Sequence, residues 1–248
     1  MVSELVGGET GSFHTTQWNI VLTSAQTDTS AAGDALAQLC QRYWPPLYIF
    51  LRRRGRSPDD AKDMVQEFFL HMIEERAFAR ASPDRGRFRN FLLGAFTRFL
   101  ASEFQRVKAQ KRGGSCQFLS LDVEDEEARI ATELTTAATP ERAFEESWAV
   151  TVVEHAFRQL ADTAKARGRS EVFAAVRPYI TGEGQSDSYI MAAAALGLTE
   201  NGFKTLVHRF RREFGATLRR EVLSTLSDPA DLDQELQYLR SMLADILS

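Results

Sequence analysis

The sequence predicts an all-helical protein, because two observations agree along most of its 248 residues. Apolar residues recur at steps of three and four, and no segment alternates polar and apolar residues as a strand would. Capping residues and glycines divide the apolar stripes into separate helices. The clearest stripes are Ala61, Met64, Val65, Phe68 and Met72; Phe88, Phe91, Leu92, Ala95 and Phe99; and Phe203, Leu206, Val207, Phe210 and Phe214.

The composition is that of an ordinary globular protein, with 44% hydrophobic and 26% charged residues. No apolar run approaches the roughly 20 residues that a membrane span needs. The segment 1–11 has Glu4 and Glu9 but no basic residue before its apolar stretch, unlike a secretory signal. We therefore expect a cytoplasmic protein without membrane insertion.

The two cysteines, Cys40 and Cys116, lie far apart and have no Cys or His at ligand spacing. They predict two plain thiols rather than a disulfide framework or a zinc site. The four histidines never pair at ligand spacing, and no Ser or Cys lies in a nucleophile motif. The sequence thus predicts no metal, no cofactor, no catalytic residue and no enzymatic activity.

Charge is distributed unevenly along the chain, although the net charge is only −4. Residues 84–112 hold eight basic and two acidic side chains, and residues 204–220 hold six basic and one acidic. The acidic run at 122–127, flanked by glycines and small polar residues, has the composition of a linker. We predict an N-terminal segment (1–34), a first domain (35–112), a flexible acidic linker (113–140), a second domain (141–222) and a C-terminal helical extension (223–248).

One amphipathic helix is predicted to begin at Ser57 and Pro58, which supply a cap and a first-turn proline. Its polar face carries acids and an amide, and acids repel the phosphates of nucleic acid. Periodicity alone favours a solvated face, and a protein-binding face is the functional alternative. The residues concerned are Asp60, Asp63, Gln66 and Glu67.

The segment from Phe88 to Arg112 combines basic residues with aromatic rings, which suits single-stranded nucleic acid. The alternative is that the rings belong to the core. The helical spacing favours this for at least two of the four rings. The four are Phe91, Phe96, Phe99 and Phe104. The predicted phosphate contacts are the last four basic residues, Arg106, Lys108, Lys111 and Arg112.

A helix-turn-helix is predicted between Tyr189 and Arg212. The alanines at 192–195 close one helix, Gly197 permits a tight turn, and Thr199 caps the next helix. The second helix suits the major groove of DNA, although a hairpin that serves packing alone is the alternative. The predicted DNA contacts are Thr199, Lys204, Thr205, His208, Arg209, Arg211 and Arg212.

The ten residues from Asp60 to Phe69 resemble the second conserved region of bacterial sigma factors. They match its pattern Asp-Ala-x-Asp-Leu-Val-Gln-Glu-x-Phe at nearly every position. The basic segment and the helix-turn-helix follow in the order of the extracytoplasmic-function group, with residues 196–199, 204 and 208–209 where the fourth region would have them.

This resemblance implies two helical domains of the region 2 and region 4 types. It implies that Asp60, Asp63, Gln66 and Glu67 bind core RNA polymerase, that the basic segment captures the melted promoter element, and that the helix-turn-helix binds the upstream element. Several positions depart from the family pattern, among them Thr97-Arg98, Met191 and Asn201-Gly202-Phe203. We therefore expect an unusual base preference.

Both ends of the chain carry further features. The stretch Asp228 to Asp231 caps a last helix whose stripe either packs on the second domain or binds a regulator, and packing is favoured. At the other end, the residues from Phe13 to Trp18 resemble the opening of this subgroup, and Trp18 is expected to pack on the first domain.

The leading hypothesis is a sigma factor that directs core RNA polymerase to specific promoters and initiates transcription. Its expected partners are core RNA polymerase and promoter DNA, with an anti-sigma factor or another regulator as a further candidate. Two alternatives stay open: a stand-alone helix-turn-helix regulator that does not bind polymerase, and a helical adaptor that does not bind DNA.

Overall fold

The computed structural model describes residues 30–74, 87–109, 139–181 and 188–247. Regular structure in these ranges is helical, with no strand, which confirms the predicted fold class. A single turn of 3-10 helix (Pro229–Asp231) precedes the last helix. The α-helices are α1 (Ser30–Arg53), α2 (Pro58–Glu74), α3 (Phe88–Ala109), α4 (Pro140–Ala166), α5 (Ser170–Thr181), α6 (Ser188–Ala195), α7 (Glu200–Ser224) and α8 (Leu232–Leu247).

Side-chain caps determine where several helices begin. The Ser57 hydroxyl accepts a hydrogen bond from the Asp60 amide at 3.1 Å at the start of α2. The Thr199 hydroxyl accepts from the Gly202 amide at 3.1 Å at the start of α7. Both caps confirm the sequence prediction. Helix α4 begins at Pro140, because the Thr139 hydroxyl accepts a hydrogen bond from the Arg142 amide and caps the helix.

The first hydrophobic core joins α1, α2 and α3 to the N-terminal half of α4, the end of α7, and α8. Aromatic rings dominate it: Phe68 meets Phe96 at 4.8 Å between ring centroids, and Tyr43 meets Phe88 at 5.3 Å. Helices from both sides of the predicted linker (113–140) therefore share this core. The members contributed by α4, by α7 with the residues just after it, and by α8 are Ala143, Phe144, Trp148, Ala149, Val152, Val222, Leu226, Leu236, Leu239 and Met242.

A second hydrophobic core joins the C-terminal half of α4 to α5, α6 and the N-terminal half of α7. Tyr179 packs edge-on against Phe203 with 5.1 Å between ring centroids, and Phe157 stacks on Phe214 at 4.2 Å. Helices α4 and α7 run through both cores and connect them. The predicted linker falls largely at 110–138, outside the described residues, and the predicted contact of Trp18 also lies outside them.

Helix α8 confirms the predicted last helix. The Asp228 carboxylate accepts a hydrogen bond from the Ala230 amide at 2.8 Å and so starts the 3-10 turn. Along α8, Leu236, Leu239 and Met242 are buried in the first core, whereas Ile246 is exposed. Across the ranges given above, no helix is long and apolar enough to cross a membrane, and no cluster of three metal-ligating side chains occurs.

Candidate functional site

The polar face of α2 lies on the surface. Asp60, Asp63 and Glu67 are exposed and Gln66 is partly exposed. The opposite face packs into the first core, so the helix is held in one orientation; its buried members are Ala61, Val65, Phe68, Phe69 and Met72. Asp59 and Asp60 also lie in the first turn, where negative charge is favourable to the helix dipole. The structure thus presents a row of carboxylates and an amide on a rigid helix.

The rings of α3 serve mainly as core. Phe96 is fully buried and Phe99 nearly so, which confirms the expectation that at least two of the four rings are structural. Phe91 is partly buried, and the side chain of Phe104 lies outside the described part of the chain. The buried rings are not available to stack on nucleobases.

The four predicted phosphate contacts at the end of this segment divide into two pairs. Arg106 and Lys108 lie on the last turns of α3, with side chains outside those described. Lys111 and Arg112 follow α3 and lie outside the described residues altogether. Their role therefore stays a prediction.

Arg89 differs from the expectation that the basic residues of this segment face nucleic acid, because only 2% of its surface is exposed. Its Nε lies 2.7 Å from Glu145 Oε2, and its Nη1 is bonded to Glu235 Oε1. Its guanidinium lies over the Trp148 ring at 4.1 Å from the centroid. Arg89 is therefore a buried cation whose Nε and Nη1 are both paired with carboxylates.

The surroundings of Arg89 keep it charged. Burial lowers its pKa, but the charges and hydrogen bonds of Glu145 and Glu235 outweigh that effect, so the pKa lies above its usual value. Sequence reasoning missed this site because the two carboxylates come from α4 and α8, far along the chain. The sequence carried only a weak signal that Arg89 is buried: this residue directly follows Phe88, which belongs to the apolar stripe of α3.

The helix-turn-helix has the predicted local geometry. Helix α6 ends at Ala195, and Gly197 takes a φ of 66°, the left-handed conformation that a glycine adopts without strain. The amide of Leu198 donates to the Ala193 carbonyl at 2.9 Å and closes the turn. Three side chains on successive turns of α7 are buried in the second core: Phe203, Val207 and Phe210. They fix α7 against α5 and α6.

The outer face of α7 is basic and exposed, as predicted, and the exposed members are Lys204, Thr205, His208, Arg209, Arg211 and Arg212. Two of these cations form an ion pair or hydrogen bonds with other groups of the protein. Lys204 Nζ lies 2.6 Å from Glu200 Oε1 across one helical turn. Arg211 donates to the Tyr179 carbonyl from Nη2 at 2.6 Å and from Nε at 3.0 Å, which ties α7 to α5. Thr199 uses its hydroxyl as the cap of α7.

A basic concave site of about 330 Å³ lies between the end of α1 and α3. Arg54 and Arg56 line it together with Thr97 and Ala101 of α3, over a floor of leucines. Sequence reasoning did not single it out. The arginine-rich turn at residues 52–56 was the available signal.

These surfaces belong to a helical protein with a helix-turn-helix in its second half. Residues 39–108 match the family model described as Sigma-70 region 2. The match runs from within α1 to the last turn of α3, so it includes the acidic face of α2. It covers less than a third of the chain. Searches of curated proteins and of solved structures found no match.

The match indicates a role of the sigma factor type for this segment, in binding RNA polymerase and promoter DNA. The resemblance first visible at Asp60 to Phe69 lies within the matched residues, and the match supports a sigma factor.

Proposed function

We propose that the protein is a sigma factor of the extracytoplasmic-function group, which directs core RNA polymerase to specific promoters and initiates transcription there. One observation carries this proposal: the exposed acid and amide row of α2 lies within the segment that matches Sigma-70 region 2. A separate basic face on α7 supports it, because a promoter-directing protein needs a second surface for duplex DNA.

Polymerase binding is assigned to Asp60, Asp63, Gln66 and Glu67. Exposed carboxylates on a helix held by the core are preorganised for a polar or basic partner surface, so little side-chain entropy is lost on binding. The acidic character of this row also keeps it away from DNA phosphates. The row is therefore the docking surface for core RNA polymerase.

Upstream promoter DNA is assigned to α7. The first turns of a recognition helix contact base edges in the major groove, which gives Lys204, Thr205 and His208 the reading role. Arg209 and Arg212 are placed for phosphates, which position the helix without reading sequence. Arg211 reaches a phosphate only by giving up its two hydrogen bonds to the Tyr179 carbonyl, so we assign it mainly to positioning α7.

The melted promoter element is assigned to the end of α3, through Arg106, Lys108, Lys111 and Arg112. In this proposal the chain has the predicted N-terminal segment (1–34), first domain (35–112), acidic linker (113–140), helix-turn-helix domain (141–222) and C-terminal extension (223–248), and the first hydrophobic core joins helices of the first domain to helices of the last two. The linker passes toward the active-site channel of the polymerase. An anti-sigma factor or another regulator is a further candidate partner.

Run-off transcription with purified core RNA polymerase and a library of promoter fragments tests the proposal. The expected result is protein-dependent transcripts from a subset of fragments that share two sequence elements. If the protein binds duplex DNA but gives neither transcripts nor a complex with core polymerase, it is a stand-alone helix-turn-helix regulator instead. If it binds neither, the adaptor hypothesis replaces both.

A further inference from the structure

The start of α3 is covered by an acidic helix from the other end of the chain. Glu235 of α8 is fully buried, and its carboxylate bridges two arginines of the α3 start. Its Oε2 lies 2.8 Å from Arg87 Nε, and its Oε1 is bonded to Arg89 Nη1. Glu145 of α4 adds a second carboxylate at 2.7 Å from Arg89 Nε. Two cations at the start of α3 are thus held by two carboxylates.

Aromatic rings also pack against the two arginines. The guanidinium of Arg89 lies between Trp148 of α4, at 4.1 Å from the ring centroid, and Tyr238 of α8, at 5.0 Å. Arg87 lies over the same Tyr238 ring at 5.6 Å. The Tyr238 hydroxyl donates to Glu145 Oε2 at 3.2 Å. The phosphates of a nucleic-acid strand bind guanidinium groups as these carboxylates do. Its nucleobases stack on aromatic rings such as Trp148 and Tyr238.

The rim of α8 is held more weakly than its centre. Arg142 Nη2 lies 2.5 Å from Asp245 Oδ2, but the Asp245 side chain is 61% exposed. Arg219 lies 3.5 Å from Asp233, whose side chain is 82% exposed. Exposed ion pairs contribute little to stability, and a buried ion pair loses much of its Coulombic gain to desolvation. A strand that offers phosphates can therefore compete for the arginines.

We propose that α8 is an autoinhibitory helix, in which Glu235 takes the place of a phosphate on Arg87 and Arg89 until single-stranded DNA displaces it. The acidic character of α8 and of the turn before it, with three aspartates and Glu235 against Arg240 alone, complements the basic start of α3. This inference rests on the proposed function, because it takes the α3 segment as the element that captures the melted promoter.

The test measures binding of a fluorescein-labelled single-stranded oligonucleotide of about 20 nucleotides, which spans one site of this kind, to full-length variants. Glu235→Gln keeps the shape of the side chain and removes the charge that neutralises Arg87. The matched control is Asp231→Asn, which removes the same charge from an exposed position in the turn just before α8. We expect Glu235→Gln to lower the Kd at least about fivefold and to steepen its salt dependence by about one unit of slope, whereas the control stays within about twofold.

A second substitution identifies the cation involved. Arg87→Gln in the Glu235→Gln background should remove most of the gain, because Arg87 is the partly exposed member of the pair. Equal binding by Glu235→Gln and Asp231→Asn would overturn the proposal. If Glu235→Gln does not fold, as thermal unfolding would show, Asp245→Asn decides instead. It weakens only the rim of α8, and a gain no larger than that of Asp231→Asn would contradict autoinhibition.

Failure of this inference and failure of the proposed function have different signatures. If the intact protein supports run-off transcription and Glu235→Gln gains no affinity for single strands, α8 is a structural clamp and the sigma factor assignment stands. If the intact protein does not bind core polymerase, the proposed function fails whatever the oligonucleotide result.

Discussion

Arg42 of α1 and Glu221 of α7 form an ion pair, with 2.8 Å between Arg42 Nη2 and Glu221 Oε2, where the two halves of the chain meet. The Nδ1 atom of His155 lies 2.9 Å from the same carboxylate oxygen, and the Gln159 amide donates to the other. Only 12% of the Arg42 side chain and 9% of the Glu221 side chain are exposed. This network, with the one around Arg89, connects the region 2 helices to α4 and α7.

The stability of this junction should depend on acid pH. Burial raises the pKa of Glu221, but the hydrogen bond from His155 and the charge of Arg42 outweigh it and leave the pKa below the usual value. A carboxyl whose pKa is lowered by folding stabilises the protein above its unfolded pKa of about 4.3, and this contribution is lost as the pH falls through the folded value.

We therefore expect Glu221→Gln to flatten the loss of stability below about pH 4.3 and to cost roughly 2 kcal/mol at pH 7, less than a fully buried pair because of its residual exposure. Urea unfolding of both proteins at pH 7 and in acid measures this, with the exposed Asp162→Asn as the control. Parallel pH profiles for wild type and Glu221→Gln would contradict the role of the ion pair.

Cys40 should be unreactive in the folded protein. Burial raises the pKa of its thiol to about 12, and the thiolate is the species that reacts. In a Cys116→Ser background, a thiol reagent at pH 7.5 should label Cys40 slowly, and labelling should accelerate at least about tenfold in urea. Fast labelling without denaturant would mean that α1 is not packed as described.

Gly197 in the turn of the helix-turn-helix and Gly215 within α7 should respond in opposite ways to substitution by alanine. Gly197 has a φ of 66°, so Gly197→Ala should destabilise the protein by about 1 kcal/mol or more. Gly215 lies inside α7, where an added Cβ would meet nothing within 4 Å. Gly215→Ala should therefore stabilise the protein by about 0.5 to 1 kcal/mol. Thermal unfolding measures both, and the same sign for the two would refute the assigned turn.

The local features of this turn were predictable from the sequence, whereas the environment of Arg89 was not. Gly197 and Thr199 act within a few residues of their own positions, so residue type and spacing suffice. The burial of Arg89 depends on Glu145 and Glu235, whose approach is decided by the packing of α4 and α8 on the first core. A one-dimensional pattern shows that α3 is basic but does not show which of its cations are already paired.

The same contrast, between features within one helix and contacts between helices, explains what the apolar periodicity could predict. The stripe from Ala61 to Met72 and the outer acids of α2 were predictable, because one helix with one buried face fixes both. The shared core of α1, α4, α7 and α8 was not, because the apolar stripe of a helix does not name the helix that it meets. The acidic linker suggested separate domains, and the contact between Trp148 and Arg89 crosses that division.

Two neighbouring arginines of α7 should behave differently. Arg212→Ala should weaken binding to duplex DNA of any sequence and lower the salt slope by about one. Arg211→Ala should chiefly destabilise the fold by about 1 kcal/mol, since it loses two hydrogen bonds to the Tyr179 carbonyl. Salt titrations of duplex binding combined with thermal unfolding separate the effects. Identical behaviour of the two variants would contradict the distinction.

A triple substitution on α2 tests most directly whether this helix binds core RNA polymerase, as proposed. The variant Asp63→Asn, Gln66→Ala and Glu67→Gln should bind core polymerase at least about tenfold more weakly, a loss of about 1.4 kcal/mol, while its affinity for duplex DNA stays within about twofold. The matched control substitutes the exposed acids Asp162 and Glu171 by their amides and should retain full binding. Undiminished binding of the triple variant to core polymerase would contradict the account.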